Sequence, residues 1–452
     1  MYHCTLCTVA KALNLSSPEH DIELCGYAVD SRLVERGSLF FALFGEKVDG
    51  HLFLADARAR GAVAAVVSHD YSGAGYGLLL LRVPRVLLAL QELARLFLLS
   101  RGCRVVGVTG SVGKTTTKGF VVTLLEGSYR VSASARSYNG QIGLPLSILN
   151  SSGDEELLVL EMGMSLPGEI ARLVAIAPPD VALVNSIAPV HIGQFDSVEQ
   201  IAHEKAQLFS SPLTQLGIVN DEMPCAELVR GMGSCDKLGY SLSNAASDYY
   251  VERNETSLVV VDKEGRHPLP LPPLLGVHNN DNLLGAIAVA RHYGVEWEAI
   301  GQQIPMLSLP PGRLEKKERG GVVVIDDTYN ANLVATVAAL KSLSLVEKQG
   351  KRYAVLGDML ELGDFFASHH KEVGRVALDC VDELFCYGDG GKEMAAVWRD
   401  LPKTVHCYED KETMTRALLE RVVAGDLVLV KGSRGCKMET VVEAIMDLVD
   451  RR

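Results

Sequence analysis

A glycine loop between an apolar run and a helical segment most constrains what this chain can fold into. The segment 105–116 reads VVGVTGSVGKTT and ends in Gly-Lys-Thr-Thr. In such a loop the backbone N–H groups point at phosphate oxygens, and the N-terminus of a helix lies directly behind them. Lys114 can then reach the β- and γ-phosphates of a nucleotide, and the hydroxyl of Thr115 can hold Mg²⁺. The segment therefore predicts a phosphate-binding strand–loop–helix unit.

This loop departs from the strict phosphate-binding pattern. That pattern needs its first glycine five residues before Gly113, where this chain has Val108, and Gly110 supplies the first glycine instead. The resulting loop is tighter, and an ordinary strand–turn–helix junction is the alternative interpretation. The candidate phosphate contacts are Gly110, Ser111, Val112, Gly113, Lys114, Thr115 and Thr116.

Length and charge limit the classes of protein that fit. A chain of 452 residues is too long for one hydrophobic core, so two or three domains are expected. The 44 Lys and Arg residues face 56 Asp and Glu residues, which gives a net charge of −12. Because no basic stripe appears, nucleic acid is not expected as the main partner. A phosphate ligand stays compatible, since a local site can oppose the global charge.

The N-terminal segment has no basic leader followed by an apolar run, so no signal peptide is expected. Charged residues and Pro84 interrupt the apolar stretch 76–99, which is therefore not expected to span a membrane. We expect a cytoplasmic protein whose ten scattered cysteines are reduced thiols. A metal or redox role for Cys4 and Cys7 is the alternative, although no second Cys pair matches them.

The order of apolar and polar segments predicts three α/β units. Strand-like and helical pieces alternate in residues 1–84. Residues 85–311 repeat a short apolar run, a polar residue and a helix, while 250–275 break the theme with alternating strands. Four more apolar runs follow in residues 312–452. This alternation favours parallel sheets with helices on both faces.

Polar residues follow most of these apolar runs, at the strand ends where ligands bind in parallel sheets. In the middle unit the runs end at Glu161, Asn185 and Asn220, with His191 just beyond the second. In the last unit the runs end at the polar segments 326–330, 357–358, 387–389 and 431–434. A cleft between two such edges suits a reaction with two substrates.

Three residues of the middle unit are candidates for a metal site. Glu161 suits a ligand for the Mg²⁺ of a nucleotide, and a carboxylate facing solvent is the alternative. His191 is either a loop histidine without a role or a metal ligand beside Glu161, although His is an unusual ligand for Mg²⁺. Lys205 lies in the helix-like segment 202–209, where local propensity predicts a solvated surface residue.

The segment 276–282 reads GVHNNDN and precedes a helix-like run. Asn279 and Asn282 are three residues apart, so both amides share one face of a first helical turn. Paired amides can read the edge of an adenine, and helix capping is the alternative. Arg313 follows a Pro-Pro-Gly hinge, where it can close over a nucleotide and contact phosphate with its guanidinium fork.

Two polar segments of the last unit are candidate binding residues. Asp326 and Asp327 can bind ribose hydroxyls or a metal ion. The loop 431–434 (KGSR) offers two cations and a hydroxyl near backbone donors, which suits a carboxylate. A plain solvated turn is the alternative for this loop.

These segments resemble the Mur ligases, the ATP-dependent amide-forming enzymes of peptidoglycan precursor synthesis, over nearly the whole chain. The loop 109–116 is similar to the family's phosphate loop, and 138–145 (YNGQIGLP) is similar to its Asn-x-x-x-Gly-x-Pro segment. The resemblance implies an α/β protein of three domains: a small α/β uridine-binding domain (1–84), a central P-loop ATPase domain with a parallel sheet (85–311) and a C-terminal Rossmann-like ligase domain (312–452).

The resemblance also implies roles for single residues. Glu161, His191 and Lys205 fall at the family's Mg²⁺ glutamate, metal-binding histidine and carbamylated lysine. A carbamate would turn Lys205 into an anion that helps to organise a second Mg²⁺, beside the ion on Thr115. The implied catalytic residues are Lys114, Glu161, His191, Lys205 and Arg313, and ATP would also meet Asn279 and Asn282 at its adenine and Asp327 at its ribose.

Within the family, the segments 326–332, 355–363 and 430–434 are most similar to the enzyme that adds D-alanyl-D-alanine to UDP-N-acetylmuramoyl tripeptide. The segment 30–32 (DSR) is similar to part of the uridine-binding domain. The resemblance implies a cytoplasmic monomer that uses ATP and two Mg²⁺ ions. Its implied substrate contacts are Ser31, Arg32, Asn139, Asn330, Lys431, Ser433 and Arg434.

Some positions depart from the family pattern. Ser137 stands where relatives often have Asn, Leu333 stands where Pro is common, and 435–437 (GCK) fits no assigned pattern. These departures concern substrate detail, so two alternatives stay open. One is a ligase of the same architecture with another amino acid or peptide as acceptor. The other is a P-loop NTPase or kinase that has no need of a UDP-sugar peptide.

Overall fold

The computed structural model describes residues 4–45, 48–135, 137–190, 192–253, 257–399, 401 and 403–449. Three sheets of the α/β type follow one another along the chain, preceded by a short antiparallel strand pair. These sheets confirm the α/β fold class predicted from the alternation of segments. Within the described ranges, no helix is long and apolar enough to cross a membrane.

The first unit is a four-stranded, fully parallel sheet in the order β3-β4-β5-β6. Leu39 and Phe40 point to opposite faces of β4 and are both fully buried, because helices and loops cover both sides. The elements of this unit are β1 (Cys4–Thr5), α1 (Leu6–Ala12), β2 (Glu23–Leu24), β3 (Gly26–Ala28), β4 (Ser38–Phe41), α2 (Leu54–Ala59), β5 (Ala64–Ser68) and β6 (Leu79–Val83).

The middle unit carries a nine-stranded sheet in the order β15-β14-β13-β12-β11-β10-β7-β9-β8. Strands β7 to β13 are parallel, and β13 to β15 form antiparallel hairpins. The elements are α3 (Val86–Arg101), β7 (Arg104–Thr109), α4 (Lys114–Glu126), β8 (Val131–Ala133), α5 (Gly143–Leu149), β9 (Leu157–Glu161), α6 (Glu169–Ile176), β10 (Val181–Val184), α7 (Val198–Ala206), β11 (Leu216–Asn220), α8 (Ala226–Arg230), β12 (Asp236–Ser241), β13 (Tyr249–Arg253), β14 (Leu258–Asp262), β15 (Gly265–Leu269), α9 (His278–His292) and α10 (Trp297–Gln303).

The last unit carries a six-stranded sheet in the order β16-β17-β21-β18-β19-β20, in which only the edge strand β16 is antiparallel. Its elements are β16 (Glu315–Arg319), β17 (Val322–Asp327), α11 (Leu333–Leu345), β18 (Arg352–Leu356), α12 (Phe366–Cys380), β19 (Glu383–Tyr387), α13 (Asp389–Ala396), β20 (Thr404–Tyr408), α14 (Lys411–Leu419), β21 (Leu427–Lys431) and α15 (Glu439–Val449).

Helix α3 joins the first two units. One hydrophobic core holds residues of the first sheet, such as Leu39, of α3, such as Leu90 and Leu93, and of the middle sheet, such as Leu158. The boundary predicted at residue 84 therefore falls between the two sheets along the chain, although one hydrophobic core continues across it. The boundaries at residues 84 and 311 stay predictions.

The apolar runs identified in the sequence all form strands, since short continuous apolar runs are typical of parallel strands covered on both faces. Seven strands of the described residues were missed: Cys4–Thr5, Glu23–Leu24, Gly26–Ala28, Val131–Ala133, Asp236–Ser241, Glu315–Arg319 and Thr404–Tyr408. The last two lie at sheet edges and are mixed or charged in composition, so they carry no apolar signal. Edge strands bury fewer side chains, which is why the pattern is weak there.

Candidate active site

The glycine loop connects β7 to α4, and its two glycines are required by their surroundings. Gly113 has a φ of 78°, and a Cβ at this position would lie 2.4 Å from Oδ1 of Asn282. A Cβ at Gly110 would lie 1.7 Å from Oδ1 of Asn185. A side chain at either position would therefore clash with a buried amide, so the pattern of glycines is set by the packing beneath the loop.

Ser186, which follows β10, anchors the loop. Its carbonyl accepts a hydrogen bond from the Ser111 N–H (2.9 Å), and its hydroxyl accepts one from the Val112 N–H (3.0 Å). The Ser111 hydroxyl donates to the Ala188 carbonyl at 3.0 Å. These contacts fix the loop against the neighbouring strand end. Ser186 was not singled out in the sequence, and its only signal was its place after the strand that ends at Val184.

A network of side-chain amides supports the loop from below. Asn282 Oδ1 accepts from Thr117 Oγ1 at 3.1 Å and from Asn185 Nδ2 at 3.2 Å, and Asn282 Nδ2 donates to Asn279 Oδ1 at 3.1 Å. The two asparagines of α9 thus share one helical face, as their spacing predicted. Both also lie on the wall of the cavity described below. An adenine contact for them stays a prediction.

Lys114 begins α4 and lies over the loop. Its Nζ donates to the carbonyl oxygens of Gly110 (2.9 Å) and Ser111 (3.3 Å). Burial lowers the pKa of the Lys114 ammonium, while the nearby Glu161 carboxylate opposes that shift and Arg313 adds to it. An anion bound at the loop would raise the pKa of Lys114 again, because burial without a counter-charge disfavours the charged form.

Thr115, Glu161 and Asn139 form a hydrogen-bonded line across the strand ends. The Thr115 hydroxyl donates to Glu161 Oε2 at 2.8 Å, and Asn139 Nδ2 donates to Glu161 Oε1 at 2.8 Å. Ser137 Oγ lies 3.3 Å from Thr115 Oγ1. Hydroxyl and carboxylate oxygens are the ligands that Mg²⁺ prefers, so this line fits a magnesium ion. Glu161 is 1 % exposed, which rules out the alternative of a solvent-facing carboxylate.

Lys118 is a second buried cation behind Glu161. Its Nζ donates to the Ser134 carbonyl at 2.6 Å and lies 4.0 Å from Glu161 Oε2. Burial lowers the pKa of Lys118, and Glu161 opposes that shift. Sequence reasoning missed this residue, although Lys114 and Lys118 are four apart and therefore on one face of the helix.

Arg313 reaches the glycine loop from the start of the last unit. Its Nη2 donates to Thr115 Oγ1 at 3.1 Å, across a sequence separation of 198 residues. Its guanidinium carbon lies 4.1 Å from the centre of the Tyr329 ring. This contact confirms the predicted position of the Arg313 side chain between the last unit and the middle unit. Its contact with phosphate stays a prediction.

Lys205 is buried in α7, at 3 % exposure, so the solvated surface position predicted from local propensity is wrong. The packing of α7 against α6 and α8 overrides the helical surface pattern. Among the described residues, its Nζ makes no hydrogen bond and no ion pair. The pKa of Lys205 is lowered well below its ordinary value, first by burial and then by Lys114, with Glu204 opposing.

The metal ligands predicted from the resemblance can be compared only in part. His191 lies outside the described residues. Among the described residues, no group of three or more His, Cys, Asp or Glu side chains could hold a metal ion, which also applies to Cys4 and Cys7. The described metal-binding side chains at the candidate site are therefore Thr115 and Glu161. Lys205 would join them only if it is modified.

The strand ends of the last unit hold a buried ion pair. Lys431 Nζ donates to Asp327 Oδ2 at 2.6 Å and to the Asn330 carbonyl at 2.9 Å. Burial raises the pKa of Asp327, and Lys431 opposes that shift. Asp326 instead accepts from Lys317 at 2.6 Å and does not line the cavity. Of the two aspartates, only Asp327 is placed to meet a ligand.

The loop after β21 separates its predicted binding residues. The Ser433 hydroxyl is buried and accepts from the Leu360 N–H at 2.9 Å. The Arg434 side chain is exposed and pairs with Glu439 at 3.3 Å, while its N–H donates to Asn330 Oδ1 at 3.4 Å. A plain solvated turn therefore describes Arg434 but not Lys431 or Ser433.

The two predicted contacts of the first unit differ in exposure. Arg32 is largely exposed and forms a two-pronged pair with Asp30, at 2.9 and 2.6 Å. Ser31 is buried. Neither Ser31 nor Arg32 lines the nearby cavity, whereas Asp30 does. A substrate contact for Ser31 and Arg32 stays a prediction.

Asn150 ties the first sheet to the middle unit. Its Oδ1 accepts from the Tyr27 N–H at 3.0 Å, and its Nδ2 donates to the Tyr27 carbonyl at 3.0 Å. The side chain thus pairs with the edge strand β3 as a backbone residue would. Asn150 also lines the cavity beside that strand.

Two cavities meet at the Asn139 segment. The loop cavity, of about 520 Å³, is lined by the glycine loop, Glu161, Arg313 and the strand ends of the last unit. The first-unit cavity, of about 600 Å³, lies between β3 and α5. Ser137, Asn139 and Gly140 line both. A molecule held in the first-unit cavity can therefore present one end to a phosphate chain on the glycine loop.

Sequence comparison divides the chain into three segments of one family. Residues 24–98 match the description "Mur ligase family, catalytic domain", residues 108–290 match "Mur ligase middle domain", and residues 312–434 match "Mur ligase, glutamate ligase domain". The three matches are spread over nearly the whole length of the chain.

Individual relatives are similar over the same length. A relative from Bacillus subtilis (strain 168), UDP-N-acetylmuramoyl-tripeptide--D-alanyl-D-alanine ligase, is 35% identical over 448 residues, which are 96% of either chain. MurF from Acinetobacter baumannii superposes with a TM-score of 0.86 at 25% identity, covering 97% of this chain and 98% of that one. MurF ligase from Thermotoga maritima, solved in complex with ADP, superposes with a TM-score of 0.80 at 30% identity, covering 94% and 98%.

Proposed function

The chain belongs to the Mur ligase family, and we propose that it joins D-alanyl-D-alanine to UDP-N-acetylmuramoyl tripeptide with ATP as the energy source. The observation that carries this proposal is the junction of two cavities at Ser137, Asn139 and Gly140. One cavity contains a phosphate-binding loop, and the other opens between the first sheet and α5. The similarity to the Bacillus subtilis ligase supports the choice of acceptor.

The proposed reaction has two steps. The terminal carboxylate of the tripeptide attacks the γ-phosphorus of ATP, and ADP leaves to give an acyl phosphate. The amine of D-alanyl-D-alanine then attacks the acyl carbon, loses a proton, and inorganic phosphate leaves. Phosphoryl transfer needs alignment and charge neutralisation more than covalent chemistry from the protein. Closure of the three domains would exclude water from the acyl phosphate.

Lys114 and Arg313 would supply the positive charge for the first step. Both meet at the loop cavity, Lys114 over the loop and Arg313 on Thr115. Fixed cations aimed at the phosphate chain stabilise the charge that develops in the transition state. The loop N–H groups, the α9 asparagines and Asp327 would hold the rest of the nucleotide.

Thr115 and Glu161, whose oxygens lie 2.8 Å apart, would hold a Mg²⁺ ion. His191 and a carbamate on Lys205 would hold the second ion proposed from the resemblance. Bound Mg²⁺ neutralises phosphate charge and lets two anionic reactants approach each other. Asn139 would keep Glu161 oriented through its hydrogen bond of 2.8 Å.

We propose that Lys205 is carbamylated in the active enzyme. Burial and Lys114 lower its pKa, which favours the uncharged amine that attacks carbon dioxide. The carbamate would then be an anion facing the Lys114 charge. In a Lys205→Ala variant, turnover should recover in part with added short carboxylates. No recovery at any carboxylate concentration would leave the modification unsupported.

The proposed substrate contacts are distributed over the three domains. Ser31, Arg32 and Asn139 would bind the UDP-linked tripeptide, and Asn330, Lys431, Ser433 and Arg434 would bind the incoming dipeptide. We place the domains at 1–84, 85–311 and 312–452. We further propose a monomer in the cytoplasm, where ATP and nucleotide-linked precursors are made. This role would make the protein part of peptidoglycan synthesis, and hence of cell shape and division.

The first test measures ADP and phosphate release with Mg²⁺-ATP and UDP-N-acetylmuramoyl tripeptide, with and without D-alanyl-D-alanine. We expect release that depends on both substrates and a product heavier by one dipeptide. Release without the muramoyl peptide would favour an NTPase or kinase instead. Release with the muramoyl peptide and a different amine would favour another ligase of the same architecture, and a panel of amino acids and dipeptides distinguishes the two.

A further inference from the structure

Tyr329 lies where the last unit meets the glycine loop, in the segment that follows β17. The centre of its ring is 4.1 Å from the guanidinium carbon of Arg313. Both side chains line the loop cavity. A guanidinium over an aromatic face at this distance is attracted by the negative face of the ring, more strongly where water is excluded.

The backbone brings these two side chains together. The Tyr329 N–H donates to the Gly312 carbonyl at 3.0 Å, and the Leu314 N–H donates to Asp327 Oδ1 at 3.2 Å. Gly312 has a φ of 70°, and a Cβ there would lie 3.2 Å from the Tyr329 nitrogen. The residues on both sides of Arg313 are therefore bound to the end of β17, which leaves its side chain projecting from a fixed base.

The other end of the Arg313 side chain is equally defined. Nη2 donates to Thr115 Oγ1 at 3.1 Å, and the Thr115 hydroxyl donates to Glu161 Oε2 at 2.8 Å. A continuous line thus runs from the Tyr329 ring through the guanidinium and the hydroxyl to the carboxylate. The line joins the last unit to the middle unit at the point where the phosphates are proposed to bind.

We propose that Tyr329 is a positioning residue, whose ring holds the Arg313 guanidinium against Thr115 so that docking of the last domain delivers a cation to the phosphates. This role rests on the proposed function for its consequence in catalysis. The ring and not the hydroxyl is required, since the Tyr329 hydroxyl makes no hydrogen bond to any described residue. A long, mobile Arg side chain would otherwise lose conformational entropy each time it engages its ligand.

The test is a double-mutant cycle with Tyr329→Leu and Arg313→Ala. The first readout is the affinity of the purified protein for Mg²⁺ and β,γ-methylene ATP, measured by calorimetry, and the second is kcat/KM for ATP. We expect Tyr329→Leu to weaken both by about tenfold, which lies between the values for exposed and for desolvated cation–π contacts, because both side chains are half-buried. Tyr329→Phe, the matched control, should stay within about twofold of the wild type, because a phenyl ring presents a similar negative face.

The cycle distinguishes positioning from direct contact. In the Arg313→Ala background, Tyr329→Leu should change the affinity by less than about twofold, because residues that act as one unit are not additive. A further tenfold loss in that background would mean that the ring contacts the nucleotide itself, and would overturn the proposal. An equal loss in Tyr329→Phe would overturn it as well, since the hydroxyl would then be the active group.

The outcome for Tyr329 can be read separately from the proposed reaction. Coupling in the binding cycle without any product from D-alanyl-D-alanine would support the role of Tyr329 and contradict the ligase assignment. Product formation without coupling would do the reverse. Thermal unfolding of each variant checks the fold, and Tyr329→Met replaces Tyr329→Leu in the cycle if the leucine variant does not fold.

Discussion

Two buried lysines, one in the middle unit and one in the last unit, have opposite surroundings. Lys205, in the middle unit, is 3 % exposed and has no acceptor for its Nζ among the described residues. Lys431, in the last unit, is 2 % exposed and is held by Asp327 at 2.6 Å and by the Asn330 carbonyl at 2.9 Å. The two positions share burial and differ in whether the charge is compensated.

The difference indicates that Lys205 costs the fold stability, whereas the paired Lys431 contributes to it. A buried charge without a partner is destabilising, and the group responds by losing its charge. A buried pair with good geometry is costly to break from either side. We therefore infer that Lys205 has a role in the reaction and not in stability. We also infer that Lys431 holds the strand ends of the last unit together.

The largest effect is expected from breaking the satisfied pair. Lys431→Met leaves the Asp327 carboxylate buried without its cation and should lower the free energy of unfolding of the last unit by about 3–5 kcal/mol. Hydrogen exchange of the β17 and β21 amides in a urea series measures this change. Replacing both partners, Asp327→Asn with Lys431→Met, should restore most of the loss, and an equally unstable double variant would show that the pair is not the cause.

The pH dependence of this variant has a defined sign. Burial raises the pKa of Asp327, and in Lys431→Met the opposing cation is gone. A carboxyl group whose folded pKa is raised stabilises the fold below its unfolded pKa, and this contribution is lost as the pH rises through the folded value. The deficit of Lys431→Met should therefore be smaller at acidic pH than at pH 8.

The next largest effect is expected for Lys114, whose buried ammonium is proposed to bind the phosphates of the nucleotide. Lys114→Ala should lower kcat by about 100-fold or more, equivalent to about 3 kcal/mol of transition-state stabilisation, because one central charged donor is removed. Steady-state release of phosphate measures the loss, and an unchanged thermal unfolding curve checks the fold. Near-normal turnover would refute the role assigned to the glycine loop.

A smaller effect of opposite sign is expected for Lys205. In bicarbonate-free buffer, Lys205→Met should raise the free energy of unfolding by about 1–3 kcal/mol, because it removes a buried amine that has no hydrogen-bond partner among the described residues. The wild-type protein should gain stability as the pH rises from the lowered folded pKa towards about 10.4, since the unfolded chain binds more protons in that window. The advantage of Lys205→Met should accordingly shrink with rising pH, and a destabilised variant would contradict this account.

The smallest effect is expected for Asn150, a neutral side chain whose hydrogen-bonding groups have partners. Asn150→Ala removes two hydrogen bonds to the Tyr27 backbone, each worth about 1 kcal/mol, and should raise KM for the UDP-linked substrate by about 3- to 10-fold. KM for ATP should stay within about twofold, because the glycine loop is untouched. Ser147→Ala is the matched control, since its hydroxyl bonds only within α5, to the Gly143 carbonyl at 2.9 Å. A parallel rise of both KM values would contradict a local role.

The sequence predicted the site best where a local pattern has a single structural solution. The strand–glycine–lysine pattern around Gly113 placed the loop, and the strand ending at Glu161 placed its carboxylate beside it. The spacing of Asn279 and Asn282 predicted their shared face. In each case the period of a helix or the direction of a strand carried the information.

Prediction failed where burial depends on distant residues. Lys205 has the local pattern of a surface helix, and its burial follows from the packing of α7 against α6 and α8. Lys118 and Ser186 show only weak local signals, namely the four-residue spacing of Lys118 from Lys114 and the place of Ser186 after a strand end. The charged and mixed strands Glu315–Arg319 and Thr404–Tyr408 lie at sheet edges, where partners far along the chain decide that a segment becomes a strand.

By itself the sequence determined the α/β alternation, the order of three units and the phosphate loop, because apolar periodicity and glycine geometry are local properties. Only the tertiary structure decided which charges are paired and which are not. It brought Arg313 to Thr115 across 198 residues, joined two cavities at Asn139, and gave Lys431 a carboxylate partner, whereas Lys205 has none among the described residues. The strength of a charge depends on burial and on neighbours within a few ångströms, and these are set when distant strands come together.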